Sequence, residues 1–237
     1  MTQPKQQPVA IVTGASRGFG RAVTAALLGR GWTVVGDARR AVELDVAVRE
    51  LNSQNFIALP GDVTDASHRA ELVAAASCGP LGLLVNNASR LGPSPQPVLA
   101  DYPASELWTV YQTNLFAPLA LIQATLPTLA DNCGVIVNLS SDAAVEPYPG
   151  WGGYGSSKAA VDQLSAVVAA ETPAVRVYAF DPGDMRTEMH QAAFPGEDIS
   201  DRAEPESVVP ALLRLLDTRP PAGRYRAVDL SLSGAPR

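Results

Sequence analysis

Val9-Ala10-Ile11-Val12 runs without a break into Thr13-Gly14-Ala15-Ser16-Arg17-Gly18-Phe19-Gly20, and an amphipathic stretch, Phe19–Gly31, follows at once. An apolar run with β-branched residues, a glycine-rich turn and a helix in that order form half of a β-α-β unit. The glycines permit a tight turn and let the backbone approach a pyrophosphate. The unpaired N–H groups at the helix start favour its charge. Gly14, Ser16, Arg17, Gly18, Phe19 and Gly20 are therefore candidate dinucleotide contacts, the plain alternative being a turn that only reverses the chain.

The same alternation continues outward. Apolar runs at Trp32–Asp37, Asn55–Pro60, Leu81–Asn86, Gly134–Ser140, Ala174–Phe180 and Gly223–Val228 read as further strands, most of them apolar on both faces. Helical spacing of apolar residues fills Ala38–Ser53, Asp65–Ser77, Ala104–Asn132, Tyr154–Glu171 and Glu204–Thr218. Strands and helices in strict alternation predict a parallel sheet covered on both faces. With no internal repeat or low-complexity linker, the 237 residues are expected to form one domain, with residues 1–7 as a flexible tail. Three Pro/Gly-rich segments, Leu91–Pro103, Asp142–Gly153 and Pro182–Pro205, follow strands and so belong at the carboxyl edge, where ligands bind in such sheets. The last is the longest and reads as a substrate loop or lid.

Lys and Arg number 18 against 24 Asp and Glu, a net charge of −6, which argues against nucleic acid or an anionic membrane as partner. No stretch has the length and apolarity of a membrane span or the layout of a signal peptide. Cys78 and Cys133 are isolated, so they are expected to be core thiols in a reducing cytoplasm, with neither a disulfide nor a metal site.

Charge at the end of the second strand bears on which dinucleotide fits, since a carboxylate there accepts from ribose hydroxyls and repels a 2′-phosphate. The sequence is Val35-Gly36-Asp37-Ala38-Arg39-Arg40. The register puts Ala38 at the ribose, with Arg39 beside it and Arg17 aimed at the same region. Two guanidiniums suit a phosphate, so NADP is expected ahead of NAD. A one-residue slip would put Asp37 on the ribose instead.

The chemistry centres on Tyr154-Gly155-Ser156-Ser157-Lys158, with Ser141 thirteen residues upstream. On a helix, residues four apart share a face, so phenol and ammonium project together. A nearby cation favours phenolate, and lowering the phenol by about three units requires roughly 4 kcal/mol of differential stabilisation.

Together these residues resemble the short-chain dehydrogenase/reductase family from Val9 to Asp229. Thr13, Gly14, Gly18 and Gly20 match its glycine turn; Asp62 and Val63 match its adenine-binding pair; Asn86-Asn87-Ala88-Ser89 matches its Asn-Asn-Ala-Gly stretch. Asn114, Ser141, Tyr154 and Lys158 match its catalytic tetrad in order and spacing, and Pro182, Gly183 and Thr187 match its nicotinamide-contacting segment. The resemblance implies a single-domain Rossmann fold, a doubly wound seven-stranded parallel sheet with helices on both faces, and a homodimer or homotetramer. It implies hydride transfer between nicotinamide and a small-molecule carbonyl or secondary alcohol. Tyr154 would be the acid/base, Ser141 would hold the substrate oxygen, Lys158 would acidify the phenol and bind ribose hydroxyls, and Asn114 would hold a water. The alternatives are an NADP-sensing binding protein, an NAD-dependent alcohol dehydrogenase, or an isomerase or dehydratase on the same fold. Ser89 in place of Gly, and Val228-Asp229-Leu230-Ser231 in place of a Gly-rich finish, depart from the family pattern.

Other polar and aromatic residues have plainer readings. His68 is expected on the surface, His190 exposed, Asp184 bonded to its own turn, and Trp108 in packing. Trp151, Tyr148 and Phe194 either wall the pocket or pack their loops.

Overall fold

The computed structural model describes residues 6–232. Its elements run β1 (Val9–Val12), α1 (Gly18–Gly29), β2 (Thr33–Ala38), α2 (Ala41–Leu51), β3 (Phe56–Pro60), α3 (Ala66–Ala75) and β4 (Leu81–Asn86). After these come α4 (Ala104–Tyr111), α5 (Ala117–Asp131), β5 (Val135–Leu139), α6 (Gly152–Glu171), β6 (Arg176–Asp181), α7 (Glu188–Ala193), α8 (Pro205–Thr218), β7 (Gly223–Arg226) and α9 (Ala227–Leu232). The strands form one seven-stranded sheet in the order β3-β2-β1-β4-β5-β6-β7, and every pairing is parallel. This is the doubly wound sheet expected from the alternation. Strand order reverses between β1 and β4, so the loops leaving their carboxyl ends part and leave a crevice.

Alternation along each strand sends side chains to two cores. Ala10, Val12, Val34, Leu83, Val85, Tyr178 and Phe180 join Val23, Leu27, Leu212 and Leu215 of α1 and α8 on one face. Val9, Ile11, Val35, Leu84, Ile136 and Val177 meet Leu72, Leu121, Ile122 and Leu129 of α3 and α5 on the other. Each large side chain fully buried here contributes about 2 kcal/mol. The edge strands β3 and β7 are only partly buried, because no neighbour covers their outer side.

Four expectations change. Ala104–Asn132 is not one α-helix, since a π turn, Gln112–Phe116, separates α4 from α5. The last strand ends at Arg226, and Ala227–Leu232 turns into α9. Cys78 and Cys133 are exposed, not core: each sits just after a helix, at a surface corner. Trp108, expected in packing, is 60% exposed, though its ring meets that of Phe116, about two turns on, in a tilted contact at 5.7 Å. Of the expected tail, residues 1–5 lie outside the described residues, and Gln6 and Gln7 are exposed.

Candidate active site

The glycine turn is held from beneath. Gly14, at φ 69°, donates its N–H to Asp37 Oδ1 at 2.8 Å, and Ala15 N–H reaches the Asp37 carbonyl at 2.7 Å. A Cβ on Gly20 would lie 2.2 Å from the Gly14 carbonyl, so helix and turn can approach this closely only with glycine there. Thr13 Oγ1 accepts from the N–H groups of Asn87 and Ala88 at 3.0 and 2.9 Å, and Asn87 Nδ2 donates to the Thr13 carbonyl at 2.8 Å. These bonds stitch the end of β1 to the end of β4.

A cleft of about 480 Å³ opens over the turn. Gly14, Ser16, Arg17, Gly18 and Phe19 line it on one side, Arg39 and Val63 at the β2–β3 end, and Asn87 and Ala88 in the middle. Tyr154, Lys158, Pro182 and Thr187 line the far end. Gly20 lies behind the turn. The Asp62 carboxylate is turned to its own loop, accepting from Thr64 N–H and Oγ1 at 2.8 Å each. Gly183 and Ser141 line a smaller adjoining cavity of about 110 Å³.

His68 is a correction. It is 5% exposed, not on the surface, and its Nε2 lies 3.1 Å from Oδ2 of Asp37, itself 1% exposed. Asp65 caps α3 through Ser67 N–H at 2.9 Å, and the helix starts in a phase that turns His68 inward. The Asp37 hydrogen bond holds the imidazole above its ordinary pKa despite burial, with Glu71 and Asp65 adding to it. The basic residues nearby differ in availability. Arg17 pairs with Glu188 and Arg40 with Glu43, whereas Arg39 is exposed and has no ion pair or hydrogen bond among the described residues.

At the other end, α6 places Lys158 Nζ 5.5 Å from the centroid of the Tyr154 ring, as the spacing demands. The expected acidification is absent from this geometry. Burial pushes the phenol above its ordinary value; hydrogen bonds with the Ser89 and Ser141 hydroxyls act downward and the Asp181 and Asp142 carboxylates act upward. The ammonium is engaged elsewhere, donating to the Leu139 carbonyl at 2.7 Å. Burial lowers Lys158 to about 8, with Asp162 opposing.

Asn114 has no side-chain group left for a water. Its Oδ1 accepts from Arg90 N–H at 2.7 Å and Ser89 Oγ at 3.2 Å, while Nδ2 donates to the Arg90 carbonyl and Ser157 Oγ at 2.9 Å each. That is the full capacity of a carboxamide. It fastens the loop after β4 to α6. Ser89 thereby stands between Asn114 and Tyr154.

Sequence reasoning missed Arg224. Its Nη2 donates to the Ser141 carbonyl at 3.0 Å and to Asp181 Oδ2 at 2.7 Å, and its Nε to Asp162 Oδ2 at 3.1 Å. The one available signal was Asp162, one turn beyond Lys158. Trp151 packs edge-on against Tyr154 at 5.9 Å and meets Phe194 at 5.8 Å, so it both walls the small cavity and ties its loops. His190 is 9% exposed, not open to solvent, because its ring packs on Phe194 at 4.9 Å. Asp184 lies 3.7 Å from both His190 Nδ1 and Arg202 Nε; it is Asp181 that bonds its own turn, through Gly183 N–H at 3.0 Å.

Residues 8–198 match the family model described as short chain dehydrogenase. The chain belongs to that family. Among its relatives, serine 3-dehydrogenase of Agrobacterium fabrum is 37% identical over 185 residues, covering 75% of this chain and 72% of the relative. Sepiapterin reductase of Meriones unguiculatus is 38% identical over 201 residues, covering 78% and 77%. The fold superposes on a short chain dehydrogenase of Shigella flexneri complexed with NADP, with TM-score 0.86, 27% identity and 94% and 98% coverage. It also superposes on an alcohol dehydrogenase of the archaeon Thermococcus sibiricus complexed with 5-hydroxy-NADP, with TM-score 0.82, 26% identity and 93% and 95% coverage. As a short-chain dehydrogenase the protein is an oxidoreductase of small molecules that uses a nicotinamide cofactor. No described helix is long and apolar enough to cross a membrane.

Proposed function

We propose that the protein is an NADP(H)-dependent oxidoreductase that interconverts a carbonyl and a secondary alcohol, with Tyr154 as acid and base. The observation that carries this reading is the position of Tyr154, which borders both the long cleft and the small cavity beside it. A group there can reach a substrate oxygen while the cofactor lies behind.

The cleft suits a dinucleotide. The start of α1 has no side-chain cap, leaving backbone N–H groups for a pyrophosphate. Asp37 spends both oxygens on Gly14 and His68, and Arg39 is unpaired among the described residues; both support a 2′-phosphorylated ribose over a plain one. Asn87, Ala88, Pro182 and Thr187 would hold the nicotinamide half.

When bound, the nicotinamide supplies or accepts the hydride. Tyr154 donates its phenolic proton to the carbonyl oxygen in reduction and takes it back in oxidation. Ser141 hydrogen-bonds the same oxygen, and Arg224 fixes the backbone that carries it. Lys158, lowered by burial to about 8 and still mostly charged at neutral pH, offers a donor to ribose hydroxyls. Segment 182–205 closes over the cleft, and the protein works in the cytoplasm as a homodimer or homotetramer.

The test follows absorbance of the reduced nicotinamide with NADPH or NADH and a panel of ketones and aldehydes. Wild type is expected to consume NADPH, and Tyr154→Phe to lose about a thousandfold in turnover while binding NADPH within about twofold of wild type. Retained turnover in Tyr154→Phe overturns the assignment, as does a wild type inert toward the whole panel.

A further inference from the structure

We propose that His68, a residue outside the cofactor cleft, is a positioning residue for cofactor choice: it holds Asp37 turned into the protein, and so keeps the end of β2 open to a phosphorylated ribose. The proposal rests on the NADP reading above and adds to it the residue that makes that reading possible.

Asp37 is the only acidic side chain on β2 and borders the cleft, although it is 1% exposed. Left to itself, an ionised carboxylate at this edge would oppose a phosphate and accept from ribose hydroxyls. Instead one oxygen accepts from Gly14 N–H at 2.8 Å and the other faces His68 Nε2 at 3.1 Å. The imidazole is boxed in. A Cβ on Gly61 would fall 2.2 Å from its Nδ1, so the ring lies directly on the Gly61 backbone, whose N–H is fixed to the Ala38 carbonyl at 3.0 Å. Glu71 Oε2 lies 3.9 Å from the same Nδ1. A group held this tightly keeps its partner in one orientation. The carboxylate that would select an unphosphorylated ribose is thereby withdrawn from the surface, leaving Ala38 and the unpaired Arg39 to face it.

Equilibrium titration of the full chain with NADPH and with NADH, read by nicotinamide fluorescence, needs no substrate. His68→Leu is expected to weaken NADPH roughly tenfold and leave NADH within about twofold, so the ratio of dissociation constants moves toward NADH. His68→Gln, which keeps an N–H donor for Asp37, is expected to retain the wild-type ratio. In an Asp37→Asn background, where the acceptor for Gly14 remains but the charge is gone, His68→Leu should no longer move the ratio. His68→Ala, which removes the ring without adding a new group against Gly61, provides a second route to the same readout. Equal loss of both dinucleotides in His68→Leu or His68→Ala would mean that the pair only supports the fold, and would overturn the proposal. So would an unchanged ratio in those variants, or the same shift in the Asp37→Asn background. A wild type that binds neither dinucleotide removes the cofactor reading and this proposal together. A wild type that binds NADPH while the variants keep its ratio overturns the proposal alone.

Discussion

In the half of the crevice built from β1 to β3, the buried carboxylate of Asp37 has a partner on each oxygen, and the turn above it is anchored by backbone bonds. In the half built from β4 to β7, buried charge is held under protest. Lys158 is pushed down by burial, Asp162 is pushed up by the same cause, and the Tyr154 phenol is pushed up. The described buried side-chain polar atoms that find no partner in the protein, among them Asn86 Oδ1, Arg90 Nε and Asp162 Oδ1, all lie from β4 onward. The first half is a mould whose described buried side-chain polar atoms are satisfied before anything binds. The second shifts the pKa values of its ionisable groups by burial, and such shifted groups gather where acid–base chemistry is done.

The contrast can be broken at four places. Lys158→Met should lower turnover about a thousandfold and, by removing a buried cation, stabilise the fold by up to about 3 kcal/mol in urea unfolding at neutral pH. The sign follows from its lowered value: the penalty is full below about 8 and fades as pH rises toward 10.5, so wild type alone should gain stability across that window. Arg224→Leu leaves Asp162 and Asp181 facing each other without their cation, and should cost about 3 kcal/mol in the same measurement. If it costs nothing, the second half is not under the tension described. Arg39→Ala should weaken NADPH about tenfold, roughly 1.4 kcal/mol, and NADH far less, by fluorescence titration; equal losses would move the phosphate site elsewhere. The smallest effect belongs to His68. Because Asp37 raises its pKa, its contribution to stability is whole below the ordinary imidazole value and is lost as pH rises through the raised one. Thermal unfolding of wild type against His68→Gln over that window checks it.

The mould was the more legible half. A glycine turn between a strand and a helix has one common geometry, so Gly14, Ser16, Arg17, Gly18 and Phe19 could be placed on the cleft from local order alone. Tyr154 and Lys158 followed from helical spacing, which fixes that they share a face but says nothing of what else binds the ammonium. Their mutual electrostatics were misread for that reason, since both are governed first by burial, with the Asp181 carboxylate and the Leu139 carbonyl arriving from other strands. His68 and His190 failed similarly. A lone histidine near a helix start looks the same whether the helix docks with that face in or out, and only packing of α3 against β2 decides it. Arg224 had only Asp162 to point to it, because its three partners are brought together by strand order. Cys78 and Cys133 looked like core thiols by residue type, but their positions just beyond helix ends put them at the surface.

The π turn at Gln112–Phe116 has a consequence for what sequence changes the protein can absorb. One additional residue in a helical turn re-phases everything after it by about 100°. Upstream of it, α4 and the turn itself are in phase with α6 and the β4 loop, where Asn114 is clamped. Downstream, Leu121, Ile122, Thr125 and Leu129 are in phase with the sheet. The widened turn is the gear that lets one continuous rod mesh with two surfaces that share no common pitch. Trimming a single residue there would make a more regular helix and a worse protein, because either the clamp or the apolar stripe would have to rotate out of mesh.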